Sequence, residues 1–242
     1  MASETAEIEN ENQHKQELES VVVRFAGDSG DGMQLTGGQF TQASAIAGND
    51  LSTFPDFPAE IRAPVGTTFG VSSFQIHFGK NRILTAGDTL DVLVAMNPAA
   101  LMVEMNSLRE GGLLIVDIGS FTDRNIKRAG FEKNPLEDES LSAFRLLKID
   151  ISALTLECVK DFGLGKKDSL RCKNLWTLGL VYWMYGRERK LTIDWLEKKF
   201  AKLPEVAKSN IAALNAGHAF GETAELSGEA ERFLIPPAVI PS

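Results

Sequence analysis

Apolar residues along this chain fall into two kinds of run. Short, nearly uninterrupted blocks recur at Val21-Val22-Val23-Arg24-Phe25, Asp91-Val92-Leu93-Val94-Ala95-Met96, Leu113-Leu114-Ile115-Val116-Asp117 and Leu146-Leu147-Lys148-Ile149-Asp150-Ile151. Blocks of that length and branching predict strands buried on both faces. Val71 to Phe78 alternates instead, with Ser72, Phe74, Ile76 and Phe78 on one side and Val71, Ser73, Gln75 and His77 on the other, which predicts another strand. Helix-length segments lie between them: 33–47, stopped by Gly48-Asn49; 98–109, opened by Asn97-Pro98; and 152–162. Gly111-Gly112 is expected to turn the chain from the second helix into the next strand. Residues 50–68, with Pro55, Pro58 and Pro64, read as a loop, and 120–144 as polar and irregular.

Past residue 162 the remainder reads as helical. Leu175 to Met184 is apolar almost all round, which predicts a helix buried on several sides or lying in an interface, and its aromatics Trp176, Tyr182, Trp183 and Tyr185 read as core or subunit contact. Ile193–Ala201 and Glu205–Phe220 are amphipathic. The segment from Phe233 to Ser242 carries Pro236, Pro237 and Pro241 and is expected to be an extended linker, not a packed element. Strands alternating with helices predict an α/β fold, Rossmann-like, with a mostly parallel sheet, helices on both faces and a helical C-terminal part.

The first strand runs into Gly27-Asp28-Ser29-Gly30-Asp31-Gly32, a tight turn before the helix at Met33. Glycine serves where the backbone takes positive φ or approaches another group closely, and the unsatisfied N–H groups of a helix start attract anions. The order is G-x-x-G-x-G rather than the dinucleotide fingerprint G-x-G-x-x-G, and Asp28 and Asp31 stand where a pyrophosphate would lie. No acidic residue closes a clean second strand about 20 residues on. The turn therefore speaks against a free-standing nicotinamide-dependent dehydrogenase, which stays as an alternative. Ser29 sits between strand and helix as a hydrolase nucleophile does, but the spacing differs and no histidine is placed as its base.

Composition narrows the class. The 242 residues suffice for one substantial domain, 43% are hydrophobic, and no apolar run approaches a membrane span. Residues 1–20 hold six glutamates against Lys15, so this segment carries −5 of the −8 net charge and reads as an acidic, disordered or loosely helical leader. No basic stripe invites nucleic acid, and no secretory signal opens the chain, so a cytoplasmic location is expected. Cys158 and Cys172 fit neither a disulfide framework nor a metal-ligand set.

Three segments in order, Gly27 to Gln34, Phe57-Pro58-Ala59-Glu60-Ile61-Arg62-Ala63-Pro64, and the strand end Asp91 to Pro98, together with Cys172-Lys173-Asn174-Leu175, resemble the γ-type domain of 2-oxoacid:ferredoxin oxidoreductases. The type most similar is the 2-oxoglutarate enzyme whose α chain begins with a fused γ domain. The resemblance covers about residues 20–240 and implies a division into the leader 1–20, a Rossmann-like domain 21–232 and a linker 233–242 leading toward an α domain. It implies oxidative decarboxylation of a 2-oxoacid to an acyl-coenzyme A with electrons passing to ferredoxin, the γ domain closing the active site and contributing to coenzyme A binding. Thiamine diphosphate, Mg²⁺ and an iron–sulfur cluster would belong to partner domains, the α domain and a β subunit, so no catalytic or metal residue is assigned here.

By the same resemblance Gly27, Ser29, Gly30, Asp31, Gly32, Arg62 and Asn97 are the candidate coenzyme A residues. Other roles stay open for three of them: Arg62 as a salt-bridge partner of Glu60 or of a neighbouring domain, Asp31 as the cap of the helix at Met33, and Asn97 as the cap of the helix at Pro98. A pure assembly module that binds no small molecule is the competing function. His77 reads as structural or exposed, and His218 as lacking an acidic neighbour to orient it.

Overall fold

A computed structural model of the chain describes residues 15–57, 70–228 and 230–239. A six-stranded sheet forms its centre, in the order β3-β4-β2-β5-β6-β7. The strands are β2 (Ser20–Asp28), β3 (Asp50–Asp56), β4 (Val71–Gly79), β5 (Leu90–Ala95), β6 (Leu108–Asp117) and β7 (Arg145–Ile149). β4 is antiparallel to β2 and β3, while β2, β5, β6 and β7 pair in parallel. A short strand β1 (Lys15–Glu17) pairs in parallel with β8 (Arg232–Leu234) as a separate ribbon. The mostly parallel α/β architecture expected from the apolar blocks is what the chain adopts.

Both faces of the sheet are covered, which explains why β2 is apolar at successive positions. Val21, Val23 and Phe25 meet one core, formed with α1 (Met33–Ile46), α6 (Lys173–Met184) and α8 (Pro204–Leu226). Val22 and Ala26 meet the other, formed with α2 (Pro98–Glu104) and α3 (Asp123–Ala129). On the second face Arg24 reaches Glu104 and Gln75, so the polar residue inside the apolar block is paired rather than stranded. α4 (Ile151–Val159), α5 (Lys166–Arg171) and α7 (Lys190–Lys199) complete the helical part.

α6 is the buried helix its composition announced: Trp176, Tyr182, Trp183 and Tyr185 at its end are all at most 3% exposed. It crosses α8 at backbone contact. A Cβ on Gly179 would stand 2.0 Å from the Leu214 carbonyl oxygen, and one on Gly217 would stand 1.8 Å from that of Trp176. These glycines are needed for close approach, not for an unusual φ.

Several expectations need correction. Residues 50–56 are a strand, not a loop; β3 lies at the sheet edge, where Pro55 can pair with β4 on one side and needs no donor on the other. The helix after Asn97 ends at Glu104, a 3₁₀ turn follows at Met105–Ser107, and β6 already starts at Leu108, running through Gly111 and Gly112 rather than beginning after them. Its pairing with β5 shifts register there. Within 120–144, Thr122 caps α3 through the Asn125 amide and Gly130 ends it at φ +93°.

The two ends also differ from expectation. Lys15–Glu17 is strand, and Phe233 and Ile235 are buried although prolines follow them. Proline lacks an amide proton but keeps its carbonyl, and Asn49 Nδ2 donates to the Pro236 carbonyl at 2.8 Å. The Ala238 amide donates to Gly48 at 2.8 Å. Arg62 and the rest of residues 58–69 lie outside the described residues.

The helix crossing gives a paired prediction. Gly217→Ala forces α6 and α8 apart and lowers unfolding free energy by about 1–3 kcal/mol or more. Gly38→Ala, at an exposed position of α1 with open space around it, raises it by about 0.5–1 kcal/mol. Denaturant titration of the two variants measures both.

Candidate functional site

The order of strands reverses between β2 and β5, which places a crevice outside their carboxyl ends, where ligands of open α/β sheets bind. Asp28 closes β2 and Asn97 follows β5. Asn97 Nδ2 donates to Asp28 Oδ1 at 2.9 Å across this reversal, while its Oδ1 accepts from the Ala100 amide at 2.8 Å and caps α2. One side chain thus serves both the capping role and the crevice.

The glycine turn is held from inside. The Asp31 amide donates to the Asp28 carbonyl at 2.9 Å, and the Asp28 amide donates back to Asp31 Oδ2 at 3.0 Å. Asp31 therefore does not cap α1, as one sequence reading had it; the cap position is Gly32, at φ +74°, with no side-chain hydrogen bond. Gly32 is required twice over, since a Cβ there would also stand 2.3 Å from Asn174 Nδ2. Gly27 is confined by Asp31 and Met96, whereas Ser29 and Gly30 stand exposed at the tip and Gly30 has open space around it.

Charge around the turn is balanced by a residue that periodicity could not single out. Lys173, the first residue of α6, donates to Asp117 Oδ2 at 3.1 Å and to Ser120 Oγ at 3.3 Å. Asp117 ends β6, is 0% exposed, and also accepts from the Ser152 amide at 3.0 Å, Ser152 Oγ at 2.7 Å and Ser120 Oγ at 2.8 Å. Burial pushes the Asp28 carboxyl up to about 6, the charge of Asp31 adding to the effect and the Asn97 hydrogen bond opposing it. Burial also raises Asp31, against the pull of Lys173. Sequence position pointed to Asp117 as a strand end; Cys172-Lys173-Asn174 gave only a motif, without its partner.

Two concavities flank the turn. One, small, is lined by Asp28, Asn97, Pro98, Asn125 and Arg128. The other, of about 450 Å³, runs from Gly30 and Leu35 past Leu175, Phe200 and Leu203. The structure brings together Gly27, Ser29, Gly30, Asp31, Gly32 and Asn97. His218, expected to lack an acidic neighbour, has Glu222 Oε1 at 3.3 Å from its Nδ1. Among the described residues no helix is long and apolar enough to cross a membrane.

The raised Asp28 carboxyl has a consequence for stability. In the unfolded chain it ionises near 3.8, in the folded chain near 6, so the folded state holds the proton more tightly and loses relative stability as pH rises through that window. Asp28→Asn removes the loss and keeps a partner for Asn97. The melting temperature of the variant relative to the parent is expected to climb between pH 3.8 and about 6; thermal melts across that range that run parallel exclude it.

The comparisons with known proteins place the fold among characterised relatives. The model of the pyruvate ferredoxin/flavodoxin oxidoreductase family matches residues 22–220. The 2-oxoglutarate oxidoreductase subunit KorA of Mycobacterium tuberculosis is 52% identical over 227 residues, covering 94% of this chain and 34% of that protein. The chain spans about a third of the length of the curated relatives it matches. Among solved structures, the 2-oxoglutarate:ferredoxin oxidoreductase of Magnetococcus marinus, with 2-oxoglutarate, coenzyme A and succinyl-CoA bound, shares the fold at TM-score 0.69 and 24% identity. It covers 92% of this chain and 34% of its own. Pyruvate oxidoreductase subunit PORC of Thermotoga maritima shares it at TM-score 0.55 and 20% identity, over 84% of this chain and 97% of its own. The motif resemblance is thereby borne out: the chain belongs to the pyruvate ferredoxin/flavodoxin oxidoreductase family.

Proposed function

We propose that this chain is the γ part of a coenzyme A-dependent 2-oxoacid:ferredoxin oxidoreductase, with 2-oxoglutarate as the substrate and coenzyme A seated at the glycine turn. The substrate rests on the 52% identity to a 2-oxoglutarate oxidoreductase subunit. The thioester carrier rests on the solved relative that holds coenzyme A and succinyl-CoA. The α domain and β subunit, with ferredoxin as acceptor, would complete the enzyme. Thiamine diphosphate, with its Mg²⁺ in those partners, would supply the carbanion chemistry of decarboxylation.

The single observation that carries the reading is the exposed Ser29-Gly30 tip, open to approach, at the point where strand order reverses. The turn cannot welcome the most highly charged part of coenzyme A. Asp31 already occupies the Asp28 amide, and two carboxylates lie within the loop. Bringing a diphosphate against them is costly in a partly desolvated site. The tip instead suits the uncharged, amide-bearing pantetheine arm, which can accept from exposed backbone donors and lie along the apolar wall of Leu35, Leu175 and Leu203. Arg62, on the segment named by the motif, is the candidate partner for a phosphate.

Gly30→Val tests this directly, because a Cβ there has no neighbour within 4 Å and the side chain stands in the ligand's path. Calorimetry of the assembled enzyme with coenzyme A is expected to show affinity reduced by about tenfold or more in Gly30→Val and in Arg62→Ala, at unchanged melting temperature. Unaltered affinity in both variants would overturn the assignment of the turn. Absence of any binding heat in the parent enzyme would leave the assembly-module reading in its place.

A further inference from the structure

α6 ends in a second polar site, at the opposite end of that helix from the glycine turn. Gly186, at φ +61°, reverses the chain, and the Arg187 amide donates to the Tyr182 carbonyl at 2.7 Å, closing the helix end. This directs Arg187 back into the protein, where it is only 6% exposed. Its guanidinium lies over the Phe78 ring at 5.3 Å, and one terminal nitrogen donates to Asn49 Oδ1. Neither neighbour is anionic, and Arg187 Nε has no hydrogen-bond partner.

A buried cation with no counter-charge is costly. Around Arg187 the protein adds further positive charge. A cleft of about 590 Å³ is lined by Arg187, Arg189, Lys190, His218, Arg232 and Asn215, among others. Arg232 Nε is also buried without a partner, its guanidinium carbon 5.9 Å from the Trp183 ring. Arg189 donates to Asn215 Oδ1 at 2.8 Å, a neutral acceptor. Glu188 and Asp194 share the lining, but Asp194 only offsets Lys190, at 3.0 Å, and Glu188 is exposed, while Glu222 faces His218, so the three arginines keep their excess charge.

We propose that this cleft is an anion site for a phosphate group, with the guanidiniums of Arg187, Arg189 and Arg232 as its donors. Three guanidiniums around one space suit the several oxygens and the double charge of a phosphate monoester better than a single carboxylate. The bound group supplies the counter-charge that these clustered cations lack. The site uses no residue of the glycine turn and stands independently of the coenzyme A reading.

His218 is the local reporter. Burial holds its imidazole below the ordinary value, and the charges of Arg189 and Arg232 add to this. An anion between those arginines removes their effect. In the complete protein, titration with inorganic phosphate at low salt is expected to move the His218 NMR resonances saturably and to raise the pH at which the ring titrates. His218→Asn identifies the signals. Arg189→Gln and Arg232→Gln are each expected to weaken binding by about tenfold, while Lys160→Gln, a surface change in a different ion pair, leaves it unaltered. Parallel titrations with glycerol phosphate and adenosine monophosphate separate a free phosphate from a phosphorylated metabolite or nucleotide by which binds tightest. A His218 signal that ignores all three ligands, or equal affinity in the parent and both arginine variants, overturns the proposal.

Discussion

The buried carboxylate of Asp117 is the constraint on which the site depends. It terminates β6 and gathers donors from the start of α4, the turn after β6 and the start of α6. A buried carboxylate is tolerated only when its hydrogen-bonding capacity is filled and its charge matched, and here both conditions hold. Lys173 supplies the charge, from a position where a cation is otherwise unfavourable, because the first turn of a helix carries the positive end of its dipole. The pair therefore fixes where α6 begins.

That starting point governs features at both ends of a helix of 12 residues. At its beginning, Asn174 presses against Gly32 and leaves no room for a side chain there, so the left-handed turn into α1 is set by steric and conformational need together. Two residues further, the Trp176 carbonyl meets Gly217, and α8 is held at a distance that only glycine permits. At its end, Gly186 returns Arg187 into the core. The helix is about 18 Å long, and it joins a turn made acidic by Asp28 and Asp31 to a cleft made basic by three arginines. Each end carries charge of the sign that the helix dipole favours, anionic at the start and cationic at the end.

The glycine turn also illustrates how one backbone plan can be diverted. A strand, a tight turn and a helix start would ordinarily offer free amides to a phosphate. Placing Asp31 three residues after Asp28 closes the loop through the Asp28 amide and adds negative charge where a dinucleotide's diphosphate would lie. The geometry of a nucleotide fold is retained and its charge preference is reversed. Asn97, one residue past β5, completes the change by spending one end of its amide on Asp28 and the other on α2.

Composition and period alone determined the strand blocks, the parallel sheet, the buried character of α6 and the turn at Gly27–Gly32, because each rests on local spacing: a double-sided core requires continuous apolar runs, and a tight turn requires glycine. Residues 50–56 escaped detection because Pro55 is barred from the middle of a sheet but allowed at its edge, and only the assembled strand order makes β3 an edge. Phe233 and Ile235 escaped because proline discourages regular structure without preventing burial, and the acceptor that fixes the segment, Pro236, is matched by an asparagine far away in sequence. Lys173 belonged to a motif that showed no partner for it, and Arg187 carried no signal, for the same reason. A charge acquires meaning from what the fold brings opposite it: Asp117 in one case, and a neutral asparagine and an aromatic ring in the other.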